Sequence, residues 1–257
     1  MPTEKWSAIV TSIIMSNSLS LFLTTEHQCG YYPDRLTANL VPDPREPMHP
    51  GLYGQLVAYG FRRSGCHVYR PHCAQCHACI PCRINVSQFV SNRSQSRCLK
   101  HNSDVVTRIR PAHFSDEYFA LYQRYINQRH GEGSMANPRP EDFSNFLLCD
   151  WSQSLFIESR LQGKLIAVAV SDFLHDGPSA VYSFFDPDEI QRSLGTFAVL
   201  QQIWLARLYR LPHVYLGYWL ESHPKMDYKK NFAGLELFDG MLWEALAKSR
   251  VYPHEKK

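Results

Sequence analysis

Leu155-Phe-Ile-Glu-Ser-Arg-Leu161, Lys164-Leu-Ile-Ala-Val-Ala-Val-Ser-Asp-Phe173 and Ala180-Val-Tyr-Ser-Phe-Phe185 are three strand-like runs in close succession. Gln162-Gly163 links the first two and His175-Asp-Gly177 the next pair, and both links are short and turn-forming, as β-hairpins require. Thr196 to Arg210 then reads as a strongly apolar helix, and His213-Val-Tyr-Leu-Gly-Tyr-Trp219 as a further strand. Upstream, Val105 to Ile109 alternates like a strand. Ser115-Asp-Glu-Tyr starts a helix to His130 with Phe119, Tyr122 and Ile126 on one stripe, and Glu141 to Cys149 is a second helix. Strands and helices in this order predict an α+β domain built on a mixed sheet.

Three antiparallel strands, a helix and another strand resemble the order of the acetyltransferase-like (GNAT) fold. The loop before the helix, Arg192-Ser-Leu-Gly195-Thr-Phe, places an Arg, a Gly and unpaired backbone N–H groups at a helix N-terminus, a setting that favours an anion. The GNAT pyrophosphate loop ends on a small residue, whereas Phe197 stands here. That counts against coenzyme A and leaves a seat for a phosphate or a carboxylate.

The first part of the chain reads differently. Residues 1–20 look like a loosely ordered extension, and Leu21 to Thr25 is a short strand. Four prolines between Val41 and Gly51 break regular structure before a short helix from Leu52 to Tyr59. Val68-Tyr-Arg and Arg83-Ile-Asn-Val86 read as strands and Ser94 to Asn102 as a basic helix. Pro111 marks the boundary, so the expected division is an N-terminal region over 21–110 and a transferase-like domain over 111–250.

Within the first region, Cys73-Ala-Gln-Cys76-His-Ala-Cys79-Ile-Pro-Cys82 sets four thiols at three-residue spacing. Soft thiolates select zinc, copper(I) or an iron-sulfur cluster. Four thiols in ten residues are cramped for one tetrahedron, and three close cysteines with a distant fourth is a ferredoxin style of ligation. Cys29 is the distant candidate. The metal set is therefore Cys29, Cys73, Cys76, Cys79 and Cys82, with zinc and iron-sulfur both open, against the plain alternative of reduced thiols packed as small hydrophobes. Neither a transmembrane run nor a signal peptide is read, so the cysteines are expected in a reducing, cytoplasmic setting.

The net charge of +3 is unevenly placed. Between Gly60 and Arg110 nine Lys/Arg face one acid, Asp104, a net of +8, so the remainder of the chain carries −5. A basic block in an acidic chain is the footprint of a phosphate-backbone partner. Arg70, Arg83, Arg93, Arg97 and Lys100 are the candidates for that contact.

Cys29-Gly-Tyr-Tyr-Pro33, Gly60-Phe-Arg-Arg-Ser-Gly65, Val68-Tyr-Arg-Pro71, Cys79-Ile-Pro-Cys-Arg-Ile84, Ser193-Leu-Gly-Thr196, Tyr215-Leu-Gly-Tyr-Trp219 and Lys225-Met-Asp-Tyr-Lys229 strongly resemble the aminoacyl-tRNA–protein transferases of the N-degron pathway. The likeness is nearest to their short bacterial, leucine-transferring branch and covers roughly residues 20 to 245. It implies a cytoplasmic enzyme that moves leucine from leucyl-tRNA to the α-amine of proteins beginning with Asp or Glu, marking them for degradation, with no membrane partner. The related arginyltransferases carry further cysteines where Tyr32 and Ala78 stand here, and only Cys29 and Cys79 match.

Such a transfer needs reactants held together, a proton acceptor and an oxyanion donor, but no cofactor and no nucleophilic triad. The catalytic candidates are Tyr182, Asp186, Glu189, Tyr218 and Glu221. An acidic acceptor calls for cations, and the substrate-binding candidates are Arg62, Arg63, Arg192, Gly195, Lys225 and Tyr228. The competing classes are an arginyl-transferring relative, a metal-containing RNA-binding module, which leaves the second domain without a task, and a small-molecule acetyltransferase, which leaves the basic block without one.

Overall fold

The computed structural model describes residues 7–8, 19–131, 133 and 135–246. Most of the extension expected over 1–20 lies outside them. In chain order the elements are β1 (Ser7–Ala8), β2 (Leu21–Leu23), β3 (His27–Gln28), β4 (Leu36–Thr37), β5 (Asn39–Pro42), α1 (Pro50–Ala58), β6 (Arg62–Ser64), β7 (His67–Pro71), β8 (Ile80–Asn85) and α2 (Arg93–His101). There follow β9 (Val105–Pro111), α3 (Asp116–His130), α4 (Pro140–Leu147), β10 (Ser154–Leu161), β11 (Lys164–Leu174), β12 (Gly177–Phe185), α5 (Leu194–Leu208), β13 (His213–Trp219), β14 (Leu235–Phe238) and β15 (Trp243–Ala245). Short 3-10 turns cover Ile190–Arg192 and Asp227–Asn231.

The apolar run of β11 explains the centre of the fold. A strand that is hydrophobic on both faces must be covered on both. Leu165, Val168 and Val170 pack under α3 and α4 with Tyr122, Phe143 and Phe184, while Ile166 and Ala167 pack beneath α5 with Leu200 and Ile203. The β10–β11 turn has Gln162 at φ 50° and Gly163 at φ 87°, both positive as a tight hairpin of this hand requires. At α3 the Ser115 hydroxyl accepts from the Tyr118 N–H, with Asp116 and Glu117 in the first turn, which is the start its sequence predicts.

The central sheet has eight strands in the order β15-β14-β8-β13-β12-β11-β10-β9. β9 to β12 are antiparallel neighbours, α5 crosses over, and β13 lies parallel to β12. The expected mixed α/β sheet is thus present. What the sequence did not convey is that β8, starting inside the thiol run, inserts between β13 and β14. The smaller sheet, β1-β2-β5-β7-β6, packs with α1 on its own core of Leu21, Leu40, Tyr53, Leu56 and Phe61. Among the described residues no helix is long and apolar enough to cross a membrane.

Candidate active site

β12 and β13 are registered at a single pair, Ser179 with Tyr215. Beyond it they part, and the register of β13 against β8 also shifts between Tyr215 and Tyr218, where Gly217 adopts φ 72°. A bulge that bends one of two central strands leaves backbone groups of the other unpaired. The gap is filled by a side chain from the smaller sheet: Arg62 Nη2 donates to the Val181 carbonyl at 3.0 Å. A Cβ on residue 217 would lie 2.6 Å from Arg62 Nη1, so a side chain there would have to push the guanidinium aside as well as strain the backbone. The Arg62 guanidinium also faces the Tyr218 ring, 5.7 Å from its centroid, and its Nε is buried without an acceptor.

Tyrosines surround this guanidinium. Tyr69, Tyr31, Tyr218 and Tyr53 are the ionisable groups acting most strongly on it. Burial pushes the Tyr31 hydroxyl up to about 12. Tyr31 and Tyr32 meet the His223 ring edge-on at 5.8 and 5.6 Å, which ties the Cys29-Gly-Tyr-Tyr segment to the loop after β13. Outside them opens a cavity of about 2460 Å³ whose walls include Cys29, Tyr31, Tyr69, Arg70, Cys79 and Glu221. That exceeds a small-molecule pocket and suits the end of a macromolecule.

The expected site residues divide sharply. Arg62 lies in the gap, but Arg63 does not reach a substrate: it is 1% exposed, pairs with Asp172 at 2.6 and 2.7 Å, and also donates to Gly65 O, Leu147 O and Ser154 Oγ. Alternation along β6 sends the two neighbours to opposite faces. Arg192 does not build the expected anion seat either. Its guanidinium is held by Asp104, Glu189 and the His101 carbonyl, while Gly195 faces the Phe185 ring, 3.4 Å from where a Cβ on residue 195 would stand. Lys225 is exposed in the loop after β13. Tyr228 sits near Arg62 and Cys82 and is 42% exposed.

Among the catalytic candidates, Asp186 is buried against Arg124 and Lys164. Burial works against its charge, yet Lys164, the Asp188 N–H and Arg124 outweigh that and hold the carboxyl below its usual range, making it a poor base. Glu189 is engaged by Arg192. The Tyr182 hydroxyl is buried without a partner between Tyr125 and Phe146, and burial raises its pKa. The Tyr218 hydroxyl is directed at the carbonyls of Gly60 (3.1 Å) and Tyr69 (3.3 Å). Glu221 is exposed and is the one of the five that lines the cavity.

The basic candidates separate in the same way. Arg93, Arg97 and Lys100 are exposed at i, i+4 and i+7 on α2, opposite the buried Gln95 and Cys98. Arg83 is not available to a phosphate: it pairs with Glu236 at 2.7 Å and lies over the Trp243 ring at 4.4 Å. Arg70 donates to the Tyr59 carbonyl and stacks on Phe61 at the cavity wall.

The thiols do not form the expected metal set. Among the described residues no three Cys, His, Asp or Glu side chains come together as a metal site. β8 draws Cys82 into the core at 1% exposure, away from the others, and burial pushes its thiol up to about 11. Cys76 accepts from Arg35 Nη1 (3.2 Å), Cys73 contacts Thr37 Oγ1 (3.3 Å), and burial pushes Cys79 up to about 12. The sulfurs in contact, 2.9 Å apart, are instead Cys66 and Cys149. Cys29, Cys73 and Cys76 do lie near enough to act on the Cys79 thiol, but they are not gathered into a metal site, and no step of the chemistry is assigned to one.

Lys229 went unread in the sequence although it closes the last quoted motif. It is 4% exposed, its ammonium donates to the Tyr218 carbonyl at the parting of the strands, and burial pushes its pKa down to about 8, with Arg62 adding to the effect. No apolar periodicity marks such a position. Gly217 was legible in principle, since a glycine inside a strand signals a bulge.

The family model described as "Arginine-tRNA-protein transferase, N terminus" matches residues 27–97, and its C-terminal counterpart matches 117–239. The chain is 50% identical to an aspartate/glutamate leucyltransferase of Stenotrophomonas maltophilia (strain R551-3), over 88% of this chain and 93% of that protein. It is 47% identical to the enzyme of the same name from Xylella fastidiosa (strain M12), over 92% and 95%, and to that of Alcanivorax borkumensis, over 89% and 94%. Among solved structures, FemX (9% identity, TM-score 0.46, 86% of this chain and 81% of that one) and L-PGS from Bacillus licheniformis (8%, 0.42, 68% and 52%) are loose likenesses. The chain belongs to the aspartate/glutamate leucyltransferase family of aminoacyl-tRNA–protein transferases.

Proposed function

We propose that the protein is a cytoplasmic aminoacyltransferase of the N-degron pathway that moves leucine from leucyl-tRNA to the α-amine of proteins beginning with Asp or Glu. Identity near 50% over most of the chain to enzymes named for that activity supports the reading. The observation that carries it in the structure is Arg62, a cation set into the gap between β12 and β13 with no carboxylate paired to it among the described residues. An acidic first residue supplies the missing charge.

In the transfer, the acceptor's neutral α-amine attacks the leucyl ester carbonyl. A C–N bond forms, the C–O bond to the tRNA ribose breaks, and the proton lost by nitrogen ends on the ribose oxygen. A free α-amine has a pKa near 8, so a useful fraction is neutral without strong catalysis. Glu221, at the cavity wall, is the candidate to carry the proton, and holding the reactants together does the larger share of the work. Arg93, Arg97 and Lys100 of the region 21–110 supply the tRNA contact, and the transfer centre draws on both regions, Arg62 from the first and β12, β13 and Glu221 from the second.

Peptides identical but for a first residue of Asp, Glu, Asn or Gln, offered with labelled leucyl-tRNA and arginyl-tRNA, test this by mass spectrometry. Leucine on the Asp and Glu peptides is expected. Arginine incorporation would move the protein to the sister activity, and no incorporation from any charged tRNA would overturn the reading.

A further inference from the structure

The buried carboxylates of the central sheet have cations beside them. Glu158 is held by Arg160, Asp186 by Arg124 and Lys164, Asp172 by Arg63, and Glu236 by Arg83. Lys229 breaks that pattern. It is buried, yet among the described residues its ammonium faces the Tyr218 carbonyl and the Met226 sulfur at 4.0 Å, and no carboxylate. The charged group acting on it is another cation, Arg62, with the thiols Cys82 and Cys79 as the remaining neighbours. Arg62 in turn has a buried Nε with no acceptor.

An ion removed from water is tolerated when it is paired and hydrogen-bonded. Two cations at one gap, each short of an anion, are therefore a site built for one. Arg62 reaches it from the smaller sheet, and Lys229 from the turn after β13, at the Tyr218 carbonyl. The geometry points to Lys229 as the second cation of the acceptor pocket, sharing with Arg62 the side-chain carboxylate of the acceptor's first residue. This rests on the reading of the protein as an Asp/Glu-directed transferase. That reaction brings a carboxylate to the site with its own substrate, whereas the other obvious anion, tRNA phosphate, has an exposed basic face on α2 to meet it. Lys229 acts here as a specificity residue: it touches the acceptor's side chain and not the bonds that change.

The competing role for Lys229 is a prop beneath the Tyr218 carbonyl, and the two roles differ in what they move. With the full chain, labelled leucyl-tRNA and pentapeptides starting with Asp or Asn, Lys229→Met is expected to raise KM for the Asp peptide about 30- to 150-fold, the worth of one charge-assisted hydrogen bond. The Asn peptide should change little, so the Asp/Asn ratio of kcat/KM collapses, and Lys229→Arg, which keeps the charge, should restore part of it. A second measurement needs no turnover and serves if Lys229→Met loses stability: the Asp peptide alone should raise the thermal midpoint of the wild-type and Lys229→Arg proteins and not that of Lys229→Met. An unchanged Asp/Asn ratio in Lys229→Met would leave only the prop, and weaker leucyl-tRNA binding with unaltered peptide kinetics would give the anion to the tRNA; either overturns the proposal. If the wild-type protein transfers leucine to no peptide, the functional reading fails by itself, and the peptide-induced stabilisation still decides whether Lys229 holds a carboxylate.

Discussion

Arg62 and Arg63 are neighbours with opposite surroundings because β6 points successive side chains to opposite faces. One has no carboxylate beside it among the described residues, and the other is bound to Asp172 with neither side chain exposed. Removing one partner of a buried pair strands the other charge, so Asp172→Asn should destabilise the fold by about 3–5 kcal/mol, measured by urea unfolding. The Asp/Asn selectivity of whatever folds should be unaltered, and a selectivity change at full stability would count against a purely structural role. Lys229 carries a different signature. Burial lowers its pKa from the ordinary 10.5 to about 8. Between those values the unfolded chain holds a proton that the folded chain has released, so stability rises with pH across that window and the cost of the buried charge is present in full below it. The stability difference between wild type and Lys229→Met should therefore grow in favour of wild type from pH 8 to pH 10. A difference that stays flat would show that Lys229 keeps its proton in the fold.

At the scale of the element, the bulge in β13 sets the gap. With Gly217 at φ 72° and Arg62 Nη1 2.6 Å from its missing Cβ, any side chain here strains the backbone and must push the guanidinium aside. Gly217→Ala should cost on the order of 1–3 kcal/mol from backbone strain alone and displace Arg62, lowering transfer to Asp peptides more than to Asn peptides. Equal loss on both peptides would indicate that the bulge shapes the sheet and not the pocket. The hairpins β10–β11 and β11–β12, and the α5 crossover to β13, were legible because their signals are local: alternation, short turn-forming links and a long apolar run. β8 was legible in part: the strand read at Arg83–Val86 is its second half, but its start at Ile80 and its partners were not. Those partners, β13 and β14, lie some 130 to 150 residues away, and no local pattern names a partner at that distance. The missed start also misplaced Cys82, since Ile80–Asn85 converts the end of the thiol run into a central strand.

For the molecule as a whole, the thiol run and the basic block are each divided by the fold. Three-residue spacing shows that thiols can approach one another, but ligation depends on where the chain goes next, and here it enters a sheet. The basic block is divided by the fold: Arg63 and Arg83 pair with buried or half-buried acids, Arg62 enters the gap between β12 and β13, and Arg93, Arg97 and Lys100 stand exposed on one face of α2. α2 carries no acid in its first turn, and its capping box of Asn92 and Gln95 and its buried face of Gln95 and Cys98 do not involve these three side chains. Alanine is the best helix former, so Arg93→Ala, Arg97→Ala and Lys100→Ala together should leave the fold intact. Each phosphate contact contributes up to about one unit to the slope of log affinity against log salt, so the triple variant should bind tRNA with a slope shallower by roughly two to three units. Its affinity should fall most at low salt and converge with wild type as salt rises, because screening removes the difference the charges make. KM for the acceptor peptide, which meets a different surface, should stay as it was at saturating leucyl-tRNA. An unchanged salt slope would take the tRNA off α2 and leave the exposed Arg108 and Arg110 of edge strand β9 as the next face to test.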